Sequence, residues 1–440
     1  MYDLAIEKGY VITAAGKRRL DIGISNGIIA GLSMPGMLGA AKESVQVPGR
    51  YIFPGGIDVH VHMDDLGADE PEDWRHGSMA AAAGGITTVA DMPIDNVPAT
   101  VDRRSLQMKL MRIKGNSFTD YMVWGGLTAD NLDAVMPMLS EGAAGLKAFL
   151  CDSGAEDFPR VSDPVLLEAM RLAAKENFPI VIHAENEEIN NYYSKKLKGR
   201  LRWEDWSRMH PEESELEAVA RCALFARITG AGVHIAHISS AKSIALIQEA
   251  RRQGARITCE TCPHYLMFSE EDYPDKGAML KCAPPVRGMR NRDALWEELK
   301  CGHIDIISSD HSPSADKSVT DAVDRAWAGI SGVQFTLPVL FSEGCCKRKM
   351  PPERIAEVLS LRPAELLGID KSKGSIELGK DADLAVLNPE KQTIYDENQI
   401  KTKVKNSVYK DMCLQGTVER TFLRGAEAGG SKPRGRYICR

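Results

Sequence analysis

Apolar residues in this chain gather into short runs separated by longer stretches of helical spacing. Eight such runs stand out, at 57–62, 87–92, 120–127, 145–150, 179–185, 232–238, 255–261 and 304–310. Between them, sets such as Leu216, Val219, Ala220, Ala223 and Leu224 recur at the intervals of an amphipathic helix. Strands that alternate with helices pair in parallel, because each crossover returns the chain to the same end of the sheet. The alternation extends over roughly 250 residues, the length a (β/α)8 barrel requires. A doubly wound open sheet shares the same alternation. The chemistry at the strand ends, described below, favours the closed form.

The two ends of the chain read differently. Short alternating strands are expected at 4–6, 10–12, 21–25 and 28–32, with Gly and Asn at the turns, and again at 383–388 and 418–424. Neither block is long enough to bury a core alone. The expectation is an α/β protein in which a TIM barrel, residues 51–373, is inserted into a small β-sandwich domain built from residues 1–50 and 374–430. Residues 431–440, rich in Gly and basic side chains, are expected to be a mobile tail.

Composition narrows the function classes. With 43% hydrophobic and 26% charged residues over 440, the chain is an ordinary globular one. A net charge of −6 offers no broad basic surface to nucleic acid or anionic lipid. The sequence holds no apolar stretch of ~18 residues for a membrane span, and Met1–Glu7 lacks the basic and apolar regions of a signal peptide. Ten cysteines are too dilute for a disulfide scaffold, which makes a reducing cytoplasm the expected location.

The strand ends carry the chemistry. In Asp58-Val59-His60-Val61-His62, side chains two apart share one face of a strand. Two imidazoles about 7 Å apart along a strand can converge on one divalent cation. A lone pair of this kind is more often part of a surface or a core, but barrel active sites lie where this strand ends. The other runs repeat the theme, with His183 and Glu185 at 179–185, His234 and His237 at 232–238, and Asp310-His311 closing the eighth. Lys147 interrupts the apolar run Gly145-Leu146-Lys147-Ala148-Phe149. A buried ammonium is tolerable if it is neutral, paired, or converted by carbon dioxide into an anionic carbamate that binds metal.

This constellation resembles the amidohydrolase superfamily, in its cyclic amidase branch of allantoinases, dihydroorotases and hydantoinases, over nearly the whole chain. The resemblance implies two divalent metals, zinc first with manganese or cobalt as alternatives, held by His60, His62, carboxylated Lys147, His183, His237 and Asp310. Lys147 would bridge, His60, His62 and Asp310 would serve one metal, and His183 and His237 the other. Asp310 would be the catalytic base and acid for a metal-activated water. His234 is not the ligand in the family pattern. Substrate contacts are implied at Asp64, Asn96, Ser153, Ala283, His311 and Ser312, with a packing role equally open for His311. A homo-oligomer, dimer or tetramer, is implied as well.

Further motifs resemble allantoinases within the branch, so the implied reaction is opening of allantoin, a neutral cyclic ureide, to allantoate. They include Asp91-Met92-Pro93, Trp124-Gly125-Gly126-Leu127, Lys147-Ala148-Phe149-Leu150-Cys151-Asp152-Ser153-Gly154, Glu260-Thr261-Cys262-Pro263-His264-Tyr265, Lys281-Cys282-Ala283-Pro284-Pro285 and Ser309-Asp310-His311-Ser312-Pro313. Dihydroorotases place an arginine where Asp64 stands, and hydantoinases a tyrosine where Asp152 stands. A hydantoinase-like or dihydroorotase-like hydrolase is the alternative, and a non-catalytic scaffold relative a further one. The loop 63–74 departs from the usual allantoinase turn. Cys259 and Cys262 form a single CxxC without a second pair, and buried strand thiols are the reading of it.

Overall fold

The computed structural model describes residues 1–65, 72–197, 201–315, 317 and 322–440. Eight parallel strands form its centre: β1 (Gly56–Val61), β2 (Ile86–Asp91), β3 (Asp120–Val123, resumed at Gly125–Gly126), β4 (Leu146–Phe149), β5 (Ile180–His183), β6 (Val233–Ile235), β7 (Ile257–Thr261) and β8 (Ile306–Ile307). Each lies inside an expected run or within one residue of it. Both faces are covered, one by the interior packing and one by helices. The strands are therefore buried throughout and read as continuous apolar runs instead of alternating ones.

Each strand pairs in parallel with the next, β1 through β8. Trp124 interrupts β3, its indole N–H donating to the Val59 carbonyl at 2.9 Å. The half before it pairs with β2 and the half after it with β4. A parallel bridge between Val61 and His311 joins the last strand to the first, and the His62 N–H donates to the His311 carbonyl at 2.7 Å. Asp58 reinforces this seam by accepting the Ser309 N–H on both carboxylate oxygens at 3.1 Å. The sheet is thus a closed cylinder, and the open doubly wound alternative is set aside.

The helical reading needs one correction. Helix Glu212–Thr229 forms as expected, and Val219 and Ala223 face inward, but Ala220 and Leu224 face solvent. The buried line instead includes Ser214 and Glu215. Glu215 is drawn in because it accepts the Ser239 N–H at 3.2 Å, the Ser240 N–H at 3.1 Å and the Ser243 hydroxyl at 2.5 Å.

Two smaller sheets lie outside the cylinder. One orders Ile28–Ser33, Asp21–Ser25, Tyr2–Glu7 and Ala41–Gln46. The other orders Ala426–Glu427, Cys413–Leu423, Leu384–Ile394, Tyr51–Pro54, Tyr10–Thr13 and Gly16–Arg19, so both chain ends meet in it. Tyr51–Pro54, which the sequence assigns to the barrel segment, pairs antiparallel with Leu384–Ile394. A buried cluster draws on both sheets, including Leu4, Ile24, Ile52, Leu384 and Phe422. Beneath it, the buried Lys373 ammonium lies 2.5 Å from Asp383, 2.8 Å from Asp120 and 2.9 Å from Asp381, and Arg424 also pairs with Asp120. This cluster ties the start of β3 to the terminal sheets.

The segment expected to be a mobile tail lies against the barrel. The Tyr121 N–H donates to Arg436, the Ile438 N–H to Tyr121, and Tyr437 forms a bridge with Tyr121. Among the described residues no helix is long and apolar enough to cross a membrane.

Candidate metal centre

The carboxyl-terminal ends of the barrel strands bring all six expected ligands to one place. Asp310 Oδ1 lies 3.2 Å from His60 Nε2 and 3.5 Å from His62 Nε2. The His60 ring is 5.4 Å from that of His62 and 5.2 Å from that of His237, which in turn is 4.5 Å from His183. Lys147 completes the group from β4, its Nζ 4.9 Å from the Phe149 ring, which stacks on His183 at 4.7 Å. His237, Asp310, Asp64 and Asp95 all hold left-handed backbone, with φ of 34°, 48°, 45° and 66°. Non-glycine residues adopt this region at an energetic cost that clusters at functional sites.

The hydrogen bonds behind the histidines decide which atoms face inward. Burial alone would raise the pKa of Glu260, but His60 and His234 hold it well below the ordinary carboxylate range, so it is an acceptor. His60 Nδ1 sits 2.6 Å from it and must donate, which leaves the Nε2 lone pair facing Asp310. His183 Nε2 likewise meets the Glu185 carboxylate at 2.7 Å, which leaves Nδ1 free to coordinate. His237 Nδ1 has no partner among the described residues. Burial disfavours ionised Asp310, yet His60, His62 and His237 hold its carboxyl well below the usual range. A lone pair and a carboxylate facing each other at 3.2 Å is an arrangement that a cation relieves. Neutral imidazoles with a carboxylate behind them are the donor set that divalent metals take.

Positive charge is favoured at the neighbouring corner. Burial works against protonation of His62, but Asp310 and Asp95 outweigh it and lift its pKa to about 10. Asp95 Oδ2 is 2.9 Å from His62 Nδ1. Lys147 behaves in the opposite sense. Burial pushes its amine down to about 8, and Nζ has no hydrogen-bond partner among the described residues. An unpaired buried amine near neutrality fits conversion to a carbamate, which would turn it from a repelled cation into an anionic ligand.

The expected substrate contacts scatter more widely. Asp64 is buried, with Oδ1 unpartnered among the described residues, and it groups with His62 and Asp95 within 4.8 Å. Asn96 is buried and donates to the Ile94 carbonyl at 2.8 Å. Ser153 is engaged in its own turn, donating to Phe158 at 2.6 Å, and Ala283 is half-buried. The His311 ring accepts the Gly332 N–H at 3.1 Å and lies 3.7 Å from Glu72, while the Ser312 hydroxyl accepts from Trp327 at 2.8 Å. Residues 66–71 of the divergent loop lie outside the described residues.

Glu185 and Glu260 stand out in the sequence but without a role, and Asp95 does not stand out at all. Glu260 accepts from His60 and from the His237 N–H at 3.3 Å, and lies 3.3 Å from His234. Glu185 receives His183 together with His210 at 2.9 Å. Asp95 sits behind His62. The signal available was the one that exposed Lys147, a charged side chain inside a buried strand.

Comparison with known proteins agrees with this geometry. Residues 51–427 match the Amidohydrolase family. The chain is 37% identical to an allantoinase of Rubrobacter xylanophilus, covering 99% of this chain and 97% of that protein. It is 39% identical to an allantoinase of Solibacter usitatus, over 97% and 93%. The L-hydantoinase (dihydropyrimidinase) from Arthrobacter aurescens superposes with a TM-score of 0.96 over 100% of both chains at 30% identity. The closed barrel, the side chains gathered at its strand ends and these full-length likenesses agree: the chain belongs to the amidohydrolase family.

Proposed function

We propose that this chain is a binuclear metal-dependent hydrolase that opens the hydantoin ring of allantoin to allantoate. The observation that carries the reading is the convergence of His60, His62, His183, His237, Lys147 and Asp310 at one mouth of the barrel, in a chain similar along its length to proteins named allantoinase. His60, His62 and Asp310 would hold one metal and His183 and His237 the other, with carboxylated Lys147 between them. Zinc suits the imidazoles, and manganese or cobalt would be accepted. When bound, the pair polarises the ring carbonyl and makes a water nucleophilic near neutral pH.

The remaining steps fall to side chains. Asp310 takes the proton from the attacking water and returns it to the departing ring nitrogen, which leaves poorly as an anion. Glu260 and Glu185 hold His60 and His183 in the tautomers that present Nε2 and Nδ1. Asp64, Asn96, Ser153, Ala283, His311 and Ser312 are the proposed substrate contacts, Ser153 and Ser312 through hydroxyls that also bond Phe158 and Trp327. Acceptors such as Asp64 suit a neutral ring rich in N–H groups, and no arginine stands at that position to pair with the carboxylate of dihydroorotate. Residues 1–50 and 374–430, extended to Pro54 by the strand pairing, form a small β-sandwich domain beside the barrel, whose expected span of 51–373 is shortened to 55–373. The protein acts in the cytoplasm as a dimer or tetramer.

The likeness to L-hydantoinase supports a second reading, hydrolysis of hydantoins or dihydropyrimidines. Metal analysis combined with assays on allantoin, hydantoin, dihydrouracil and dihydroorotate separates the two. The expected result is two metals per chain and fastest opening of allantoin. Fast opening of hydantoin or dihydrouracil with none of allantoin overturns the proposal.

A further inference from the structure

His264 stands beside the proposed centre with no role assigned to it. It lies in the single helical turn Pro263–Met267 that follows β7, and only 1% of it is exposed. Neither Nδ1 nor Nε2 has a hydrogen-bond partner among the described residues. One of its ring nitrogens, an Asp310 carboxylate oxygen and Cys262 Sγ all lie within 4.8 Å of one another. Burying an imidazole with both nitrogens unsatisfied is unfavourable, and a fold keeps such a group where a partner arrives from outside.

The chemistry of the surroundings says which partner. Asp310 turns Oδ1 toward His60 and His62. Asp310 is thus already shared, which leaves a further metal at this cluster only one imidazole and one thiol of its own. A neutral imidazole offers one N–H donor and one acceptor. A cyclic ureide presents carbonyl acceptors and N–H donors, and one nitrogen of the imidazole can meet either of them.

We propose that His264 is a substrate-contacting residue whose neutral imidazole hydrogen-bonds the amide edge of the ring as that ring is opened beside Asp310. This inference rests on the ring-opening reading above.

The test uses full-length, metal-loaded wild type, His264→Phe and His264→Asn. The readouts are metal content, thermal midpoint, and kcat and KM for allantoin. Both variants keep the metal content of the wild type. The Phe variant melts at or above the wild-type temperature, because an unpaired buried polar group has been removed. Its kcat/KM falls by about 100-fold. The Asn variant retains a donor and an acceptor and recovers about tenfold of that loss. An unchanged kcat/KM in the Phe variant overturns the contact. Loss of a metal makes His264 a ligand instead, and a lowered thermal midpoint with parallel loss of activity makes it structural. If the wild type opens none of allantoin, hydantoin, dihydrouracil and dihydroorotate, the ring-opening reading falls and this inference with it. That outcome is distinct from an active wild type matched by its variants.

Discussion

Replacing Lys147 with methionine should make the apoprotein more stable while abolishing metal binding. The amine is fully buried and unpartnered among the described residues, and burial holds its pKa at about 8 against an ordinary 10.5. That displacement corresponds to about 3 kcal/mol of unfavourable burial of the ammonium at neutral pH. Methionine fills a similar volume without the charge, so the variant gains most of that energy. In a chain of this size it appears as a rise of about 3 °C in the melting temperature. The sign with pH follows from linkage. The folded state releases its proton near pH 8 and the unfolded state near 10.5, so wild-type stability rises across that window. The advantage of Lys147→Met is therefore full below pH 8 and fades toward pH 10.5. Calorimetry of both proteins, freed of metal by chelator and of carbon dioxide by degassing, measures the difference at pH 7 and pH 10. A variant less stable than wild type at pH 7, or a difference that does not shrink with pH, refutes the reasoning.

Two other substitutions probe the neighbourhood. Glu260→Gln removes the carboxylate that fixes His60 at 2.6 Å, and metal affinity should fall by about 10–100-fold in competition with a chromophoric chelator; unchanged affinity argues against an orienting role. Lys373→Met leaves Asp120, Asp381 and Asp383 without their shared cation, and should cost about 3–5 kcal/mol in denaturant unfolding while activity per folded molecule is retained; a cost under about 1 kcal/mol would show that the cluster does not hold the terminal sheets to the barrel.

The candidate site residues were legible because a barrel places its chemistry at strand ends, where a histidine or a lysine stands out against an apolar run. His60 and His62 share a face by the two-residue period of a strand. His183, His237 and Asp310 each fall at or near the end of a run of their own. Glu260 was harder to see because its pairing with His60 joins residues 200 positions apart, and no local pattern records such a contact. Helix Glu212–Thr229 was recognised, but the side it buries was misread: a fully buried Glu215 looks like a solvated charge until the serines it anchors are known. The strand Ala41–Gln46 escaped because it pairs through its backbone while its polar side chains Lys42, Glu43 and Ser44 remain exposed. The last residues were read as a tail from glycine and charge alone. Their backbone bonds to Tyr121 depend on where another strand happens to lie.

The seam of the cylinder has a thermodynamic implication. His60 lies in the first strand, His62 directly after it, and Asp310 follows the last, so a cation shared by them would staple the barrel where its circle is completed. Closing so long a loop restricts the unfolded chain more than any short cross-link does. The ion that activates water would then also act as a clasp, coupling the integrity of the scaffold to the loading of its catalyst.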